Sequence, residues 1–197
     1  MNSSVQLQST VILCGMKHCG KSTHGRRIAA LFGCPFFDTD DEIAKNTGKN
    51  VRQIYTESGE EAFKAVEAEA CRKIAGYASE HVCVIATGGG ICNNSAAMTF
   101  LKNVGVCIFL DTDEKLSADR IVREAVYRGK GVWDGLPAYI AKENPHTEQD
   151  MRAVYHRFFA DRSVKYRAVA DYTVRMAEAS IRENTERIVS VIPVIRG

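Results

Sequence analysis

The sequence predicts an α/β protein in which parallel strands alternate with helices covering both faces of one sheet. Three observations predict it. Five short apolar runs, at about 10–14, 36–37, 82–86, 104–110 and 171–175, are separated by segments of helical period. The order strand, helix, strand calls for right-handed crossovers and hence a parallel sheet. The first run leads directly into Gly15-Met16-Lys17-His18-Cys19-Gly20-Lys21-Ser22-Thr23, a glycine-bounded turn that opens a helix.

Residues 1–9 are polar and read as frayed, and the first strand is about 10–14. A helix follows the turn to about Phe32, with Ile28, Leu31 and Phe32 on one face. Gly33-Cys34-Pro35 turns the chain into the second strand, which ends on Asp38-Thr39-Asp40. A helix near 41–46 is stopped by Asn46-Thr47-Gly48, and a helical turn covers about 51–57. Ser58-Gly59-Glu60 opens a long helix whose Phe63, Val66, Ala70, Ile74 and Tyr77 are spaced for one buried face. The strand at 82–86 runs into Gly88-Gly89-Gly90. Then come a helix near 95–102, the strand at 104–110 and a helix of about 113–128 with apolar Leu116, Ile121 and Val122. Residues 129–147 read as loop, 148–169 as helix, 171–175 as the fifth strand and 180–191 as the last helix.

Chemistry-capable residues fall at the C-terminal ends of the first three strands, where ligands of parallel sheets collect. The turn after strand one has the Gly-x4-Gly-Lys-Ser pattern of a loop that wraps nucleoside triphosphate phosphates. Gly15 and Gly20 let backbone N–H groups converge on phosphate oxygens, and the helix adds its positive end. Gly15, Lys17, His18, Cys19, Gly20, Lys21, Ser22 and Thr23 are therefore candidate nucleotide-binding residues. Lys21 is placed to reach the β- and γ-phosphates and the Ser22 hydroxyl to take a position on Mg²⁺. Flanking strand and helix favour this over a plain glycine turn.

Asp38 and Asp40 stand two apart at the second strand end. One carboxylate can hold water on Mg²⁺ while the other accepts the proton of a substrate hydroxyl. Thr39 or Asp40 can equally be an ordinary N-cap. Gly88, Gly89 and Gly90 mark a place where backbone approaches a ligand closely. Arg162 falls four residues after Phe158 on the helix face of Met151, Val154, Tyr155 and Phe159. A guanidinium on an apolar face needs a partner, either an internal carboxylate or an anionic substrate group.

With 197 residues, 45% hydrophobic and 25% charged, the chain is expected to form a single soluble domain. A net charge of +2 and the absence of like-charge blocks argue against nucleic acid as a partner. No apolar run reaches membrane-spanning length, and residues 1–10 lack the layout of a signal peptide. The expectation is a cytoplasmic monomer acting on a small molecule. Seven cysteines include no Cys-x-x-Cys pair, which argues against zinc and against a disulfide scaffold. Cys19, in the loop at a helix N-terminus, is the one thiol placed for a redox role.

The series Gly-x4-Gly-Lys-Ser-Thr, Asp38-Thr39-Asp40, Gly59-Glu60-x2-Phe63, Glu67, Gly88-Gly89-Gly90 and Arg162-x3-Tyr166-x3-Ala170 resembles the shikimate kinases over nearly the whole chain. The resemblance implies a three-layer α/β/α P-loop kinase fold with a five-stranded parallel sheet and a mobile lid, here about 123–147. It also implies phosphoryl transfer from ATP, with Mg²⁺, to a hydroxyl of shikimate. Carried over, Asp40 binds the acceptor and serves as base, Asp38 helps position Mg²⁺, and Lys21 and Ser22 hold phosphates and metal. Gly88, Gly89, Gly90 and Arg162 contact the acceptor, and Arg120 resembles the arginine that stacks on adenine.

Two features depart from the family pattern. Where the family has arginine after the Phe of the Gly-Glu motif, this chain has Lys64, which keeps the charge but loses the planar fork. Lys64 is accordingly a candidate acceptor contact, which Glu67 three residues on could hold in the site, or a surface residue paired with Glu60. In place of Arg-Pro-Leu-Leu the lid reads Tyr127-Arg128-Gly129-Lys130-Gly131-Val132-Trp133-Asp134-Gly135-Leu136-Pro137. Arg128 is the candidate for neutralising phosphate from the lid, with Arg120, Arg123 and Lys130 as rivals. The alternative acceptor is another carboxylate-bearing polyol or sugar acid, and the alternative class is a nucleotide-binding module without catalysis.

Overall fold

The computed structural model of the chain describes residues 5–129 and 132–196. In chain order the elements are β1 (Val5–Leu7), β2 (Thr10–Cys14), α1 (Lys21–Phe32), β3 (Phe36–Asp38), α2 (Thr39–Thr47) and α3 (Val51–Ala78). Next come β4 (Val84–Ala86), α4 (Ser95–Lys102), β5 (Gly105–Asp111), α5 (Glu114–Glu124), β6 (Val126–Gly129) and β7 (Val132–Asp134). The last are α6 (Ala138–Ala141), α7 (Glu148–Val169), β8 (Tyr172–Arg175), α8 (Ile181–Val189) and β9 (Val194–Arg196).

Five strands pair in parallel in the order β3-β4-β2-β5-β8. Alternate residues of the central strand point to opposite faces. Ile12 and Cys14 pack with Cys71 and Ile74 of α3, Leu101 of α4 and Tyr166 of α7. Val11 and Leu13 pack with Ile28 of α1 and Ile188 of α8. Helices thus cover both faces, and β2 is wholly buried, as its unbroken apolar run requires. Two satellite clusters matter for the site. Ile43, Ile54 and Ala70 join α2 to α3, while Ile121, Leu136, Ile140, Met151 and Tyr155 join α5, α6 and α7.

Several expectations need correction. Residues 5–7 are not frayed but form β1, which pairs antiparallel with β9. That pairing joins positions too far apart for local periodicity to reveal. The segment expected to be loop from 129 to 147 holds most of a β6–β7 hairpin and the short α6. Its Tyr127 and Trp133 rings lie 4.8 Å apart and Arg128 pairs with Asp134 at 2.7 Å. The preceding helix stops at Glu124, because Ala125 turns extended (φ −73°, ψ 132°) and β-branched Val126 begins the hairpin. Leu31, expected in the buried face of α1, is 64% exposed, and Ala29 fills the core beside Ile28 instead. Tyr77 is partly exposed and leans on Phe37 rather than entering the core. At Gly59 (φ 82°, ψ 179°) α3 breaks into two helical pieces, matching the separate turn and long helix read there. Among the described residues no helix is long and apolar enough to cross a membrane.

Candidate active site

Between β2 and α1 the backbone passes through positive φ at Gly15 (146°), His18 (64°) and Gly20 (93°). That sequence of angles curls the loop over the end of the sheet, and a Cβ on Gly15 would lie 2.9 Å from the Leu110 carbonyl oxygen of β5. Lys21 follows as the first residue of α1 and is only 7% exposed. Its Nζ donates to the carbonyls of Gly15 at 3.0 Å and Met16 at 2.8 Å, which fixes the ammonium on the rim of the loop. The Cys19 thiol is buried and 3.7 Å from the same Nζ.

Ser22, one residue on, donates from Oγ to Asp38 Oδ2 at 2.5 Å. Asp38 also accepts from the Asp40 N–H at 3.0 Å, so Asp38 is the N-cap of α2. This corrects the expectation of Thr39 or Asp40 in that role, since Asp38 is the last residue with extended dihedrals (φ −118°, ψ 126°). Thr39 turns inward and its hydroxyl accepts from the Gly88 N–H at 2.9 Å. A hydroxyl and a carboxylate so close form a hard oxygen pair that suits Mg²⁺, which takes few protein ligands and completes its shell with water and phosphate. Among the described residues no group of three or more His, Cys, Asp or Glu could hold a metal ion.

Asp40 lies in the crevice at these strand ends, exposed at its surface yet with protein packed about its carboxyl. That desolvation, then the neighbouring Asp38 charge, raises its pKa to about 6 against the pull of Lys21 and Lys17. A second carboxyl faces it across Gly88. A Cβ there would meet Asp40 Oδ1 at 3.0 Å and Glu67 Oε1 at 3.1 Å, so only glycine lets both oxygens close on this point. Glu67 is 2% exposed and its Oε2 accepts from Asn94 Nδ2 at 2.9 Å. Burial raises its pKa to about 7, with the Asp40 charge adding to the rise and the Asn94 bond opposing it.

The raised Glu67 value makes a stability prediction. The folded state holds this proton more tightly than the unfolded chain, so the contribution of Glu67 is full below about pH 4.5 and is lost as pH rises through 7. Glu67→Gln is expected to raise stability at pH 8 by roughly 2–3 kcal/mol and not at pH 4. Urea unfolding at the two pH values checks it, and equal shifts at both would exclude titration of Glu67 as the cause.

Gly89 abuts the phosphate loop, where a Cβ would lie 2.8 Å from the Lys17 nitrogen. Its carbonyl accepts from Arg162 Nη1 at 3.1 Å. Arg162 is 6% exposed and, among the described residues, has no carboxylate within ion-pair distance. Its Nε is buried without a hydrogen-bond partner. Two rings accompany the guanidinium instead, Tyr139 with its centroid 4.1 Å from Cζ and Phe158 at 5.2 Å. The internal ion pair considered for Arg162 is therefore absent among the described residues.

Lys64 pairs with Glu60 and Glu61 of its own helix, each at 3.1 Å, and its side chain is 30% exposed. Glu67 does not hold it. Arg120 of α5 donates from Nη1 to the His18 carbonyl, tying that helix to the phosphate loop. His18 Nε2 lies 3.3 Å from Glu124 Oε2, and burial lowers the imidazole pKa although Glu124 opposes this. Arg128 lies in the hairpin against Asp134, outside the crevice lining so far described. Lys130 lies outside the described residues.

The structure thus brings Lys21, Ser22, Asp38, Asp40, Gly88, Gly89, Gly90 and Arg162 together at three strand ends. Sequence reasoning passed over Thr39, Asn94 and Tyr139 as contributors. Asn94 carried the signal of an N-cap, which it is, with its Oδ1 accepting from Ala97 N at 3.2 Å. Nothing local announced that its other amide atom serves Glu67.

A family model described as "Shikimate kinase" matches residues 17–193. A shikimate kinase of Desulforudis audaxviator is 35% identical over 164 residues, covering 83% of this chain and 76% of its own. One of Acinetobacter baumannii is 31% identical over 182 residues, covering 92% and 91%. A solved structure, "Shikimate kinase from Acinetobacter baumannii in complex with shikimate", is similar at TM-score 0.74 and 31% identity, covering 93% of this chain and 92% of that one. Sequence match, shared fold and crevice converge, and the chain belongs to the shikimate kinase family.

Proposed function

We propose that the protein transfers the terminal phosphoryl group of ATP to a hydroxyl of shikimate, giving shikimate 3-phosphate. The observation that carries this reading is the meeting of a phosphate loop, a carboxyl of raised pKa and an unpaired buried arginine in one crevice. The relative solved with shikimate supports the choice of acceptor.

In this reading Gly15, Lys17, His18, Cys19, Gly20 and Thr23 cradle the nucleotide phosphates, and Arg120 lies on the adenine side. Lys21 leaves its loop carbonyls for the β- and γ-phosphates. Ser22 and Asp38 hold Mg²⁺, which when bound draws charge from the phosphate oxygens. Asp40 takes the proton of the attacking hydroxyl as its oxygen bonds to the γ-phosphorus and the bond to ADP breaks. A pKa near 6 suits the task, since the base is mostly ionised at neutral pH yet still accepts a proton. Gly88, Gly89 and Gly90 line the acceptor side, Arg162 binds the acceptor carboxylate, and Arg128 meets phosphate when the hairpin closes and water is excluded.

A coupled ADP-release assay with Mg-ATP, comparing shikimate, no acceptor and a panel of polyol acids, tests the proposal. Saturable turnover with shikimate is expected. Turnover with another acid alone would reassign the acceptor, and ATP binding without turnover would make the chain a non-catalytic module.

Lys64 supplies a further prediction. Its ammonium is shared between Glu60 and Glu61, so it reaches the acceptor as a diffuse charge rather than a directed donor. Lys64→Arg, restoring the planar fork, is expected to lower the shikimate KM about threefold with the ATP KM unchanged. An unchanged shikimate KM would assign Lys64 to the helix surface.

A further inference from the structure

Arg162 has company that the phosphoryl-transfer reading does not use. Tyr139 belongs to α6, directly after the altered lid stretch that ends at Pro137, and its ring lies 4.1 Å from the Arg162 Cζ. Its neighbours in that segment, Leu136 and Ile140, are buried against Met151 and Tyr155 of α7. They anchor α6, so the Tyr139 ring is held in place from behind. Phe158, on the helix that carries Arg162, packs against the same ring at 4.6 Å between centroids and a tilt of 59°.

A guanidinium accompanied by rings keeps its planar edge as the place for hydrogen bonding. One edge donor of Arg162 is spent on the Gly89 carbonyl, and the buried Nε has no partner. Neither ring cancels the positive charge of a side chain so deeply withdrawn from water, whereas a planar anion at the free edge does. The rings thus decide which way the guanidinium presents itself.

We infer that Tyr139, buttressed by Phe158, is a positioning residue that turns the Arg162 edge toward the acceptor's carboxylate and thereby sets acceptor affinity from the lid side. This rests on the proposed function. An aromatic residue on an anchored turn steadies one arginine where Lys64, tied to two glutamates, stands in place of the family's other arginine.

The test uses the full chain. Tyr139→Leu, which keeps apolar bulk but no π-face, is expected to weaken shikimate affinity about tenfold, with the ATP KM within about twofold. Tyr139→Phe keeps the ring and is expected to stay within about twofold of the parent, and Phe158→Leu to shift affinity in the same direction by less. Shikimate methyl ester, which lacks the negative charge, reads the mechanism directly, because its affinity, measured by calorimetry, is expected to be the same in the parent and in Tyr139→Leu. Unchanged shikimate affinity in both leucine variants overturns the inference. So does an equal loss for the ester, which would mean a general packing role. A parent chain that does not phosphorylate shikimate overturns the proposed function and this inference together, and the parent assay alone separates that result from the others.

Discussion

Asp40→Asn is expected to lower turnover by about 10²- to 10⁴-fold while ATP affinity stays within about twofold. The substitution keeps size and hydrogen-bonding shape but cannot take the hydroxyl proton. In the proposed reading ATP is held by the loop between β2 and α1, so the substitution leaves the phosphate side untouched. The unaltered protein should show an acid limb in kcat/KM near pH 6, with activity falling as pH drops, because the raised pKa of Asp40 means protonation there removes the base. In the Asn variant that limb should vanish from whatever activity remains. Asp40 also contributes to the raised pKa of Glu67, so the same change should move Glu67 downward. Steady-state kinetics across pH 5 to 9, with ATP binding measured separately, decide the matter. Parent-like turnover would remove Asp40 from the mechanism.

Arg162→Met should separate stability from activity. The arginine is buried, has no carboxylate partner among the described residues, and leaves its Nε unsatisfied. Such a charge opposes folding, and replacement by an apolar side chain of similar length is expected to stabilise the fold by about 1 kcal/mol despite losing the Gly89 hydrogen bond and the ring contacts. For a domain of this size that raises Tm by roughly 2–4 °C. The same substitution should reduce kcat/KM for shikimate by about 10²- to 10³-fold, as the acceptor loses its charge-assisted partner. A lower Tm with little loss of activity would mean that the arginine serves the fold. The predicted combination is what a binding site purchased at the expense of stability looks like.

The parallel sheet and its helices were legible because the three central strands, β2, β4 and β5, are mostly buried apolar runs and the helices between the strands keep their own period. The placing of Gly15, Gly20, Lys21, Ser22, Asp38 and Asp40 together at strand ends was legible because each follows directly on an apolar run of the sheet. Arg162 was legible from its place on an apolar face. What escaped depends on contacts distant in sequence. β1 and β9 each have too few residues to declare themselves, and only their mutual pairing makes them strands. Strands β6 and β7 hold exposed Val126, Tyr127 and Val132, so no alternation of buried and exposed positions marked them. Asn94 and Tyr139 act through Glu67 and Arg162, partners that lie 27 and 23 positions away in the chain (94 − 67 and 162 − 139) and meet them only after folding.

Gly89 lies so close to the phosphate loop that a Cβ on it would be 2.8 Å from the Lys17 nitrogen, so the backbone proposed to line the acceptor side rests directly on that loop. Arg162 pulls on that backbone through the Gly89 carbonyl, and the nucleotide loop presses on it from the other side. A ligand that fixes either side therefore changes the freedom left to the other. Thermodynamic linkage then imposes a symmetry that no side-chain chemistry can break. Whatever factor Mg-ATP applies to the dissociation constant of shikimate, shikimate must apply to that of Mg-ATP.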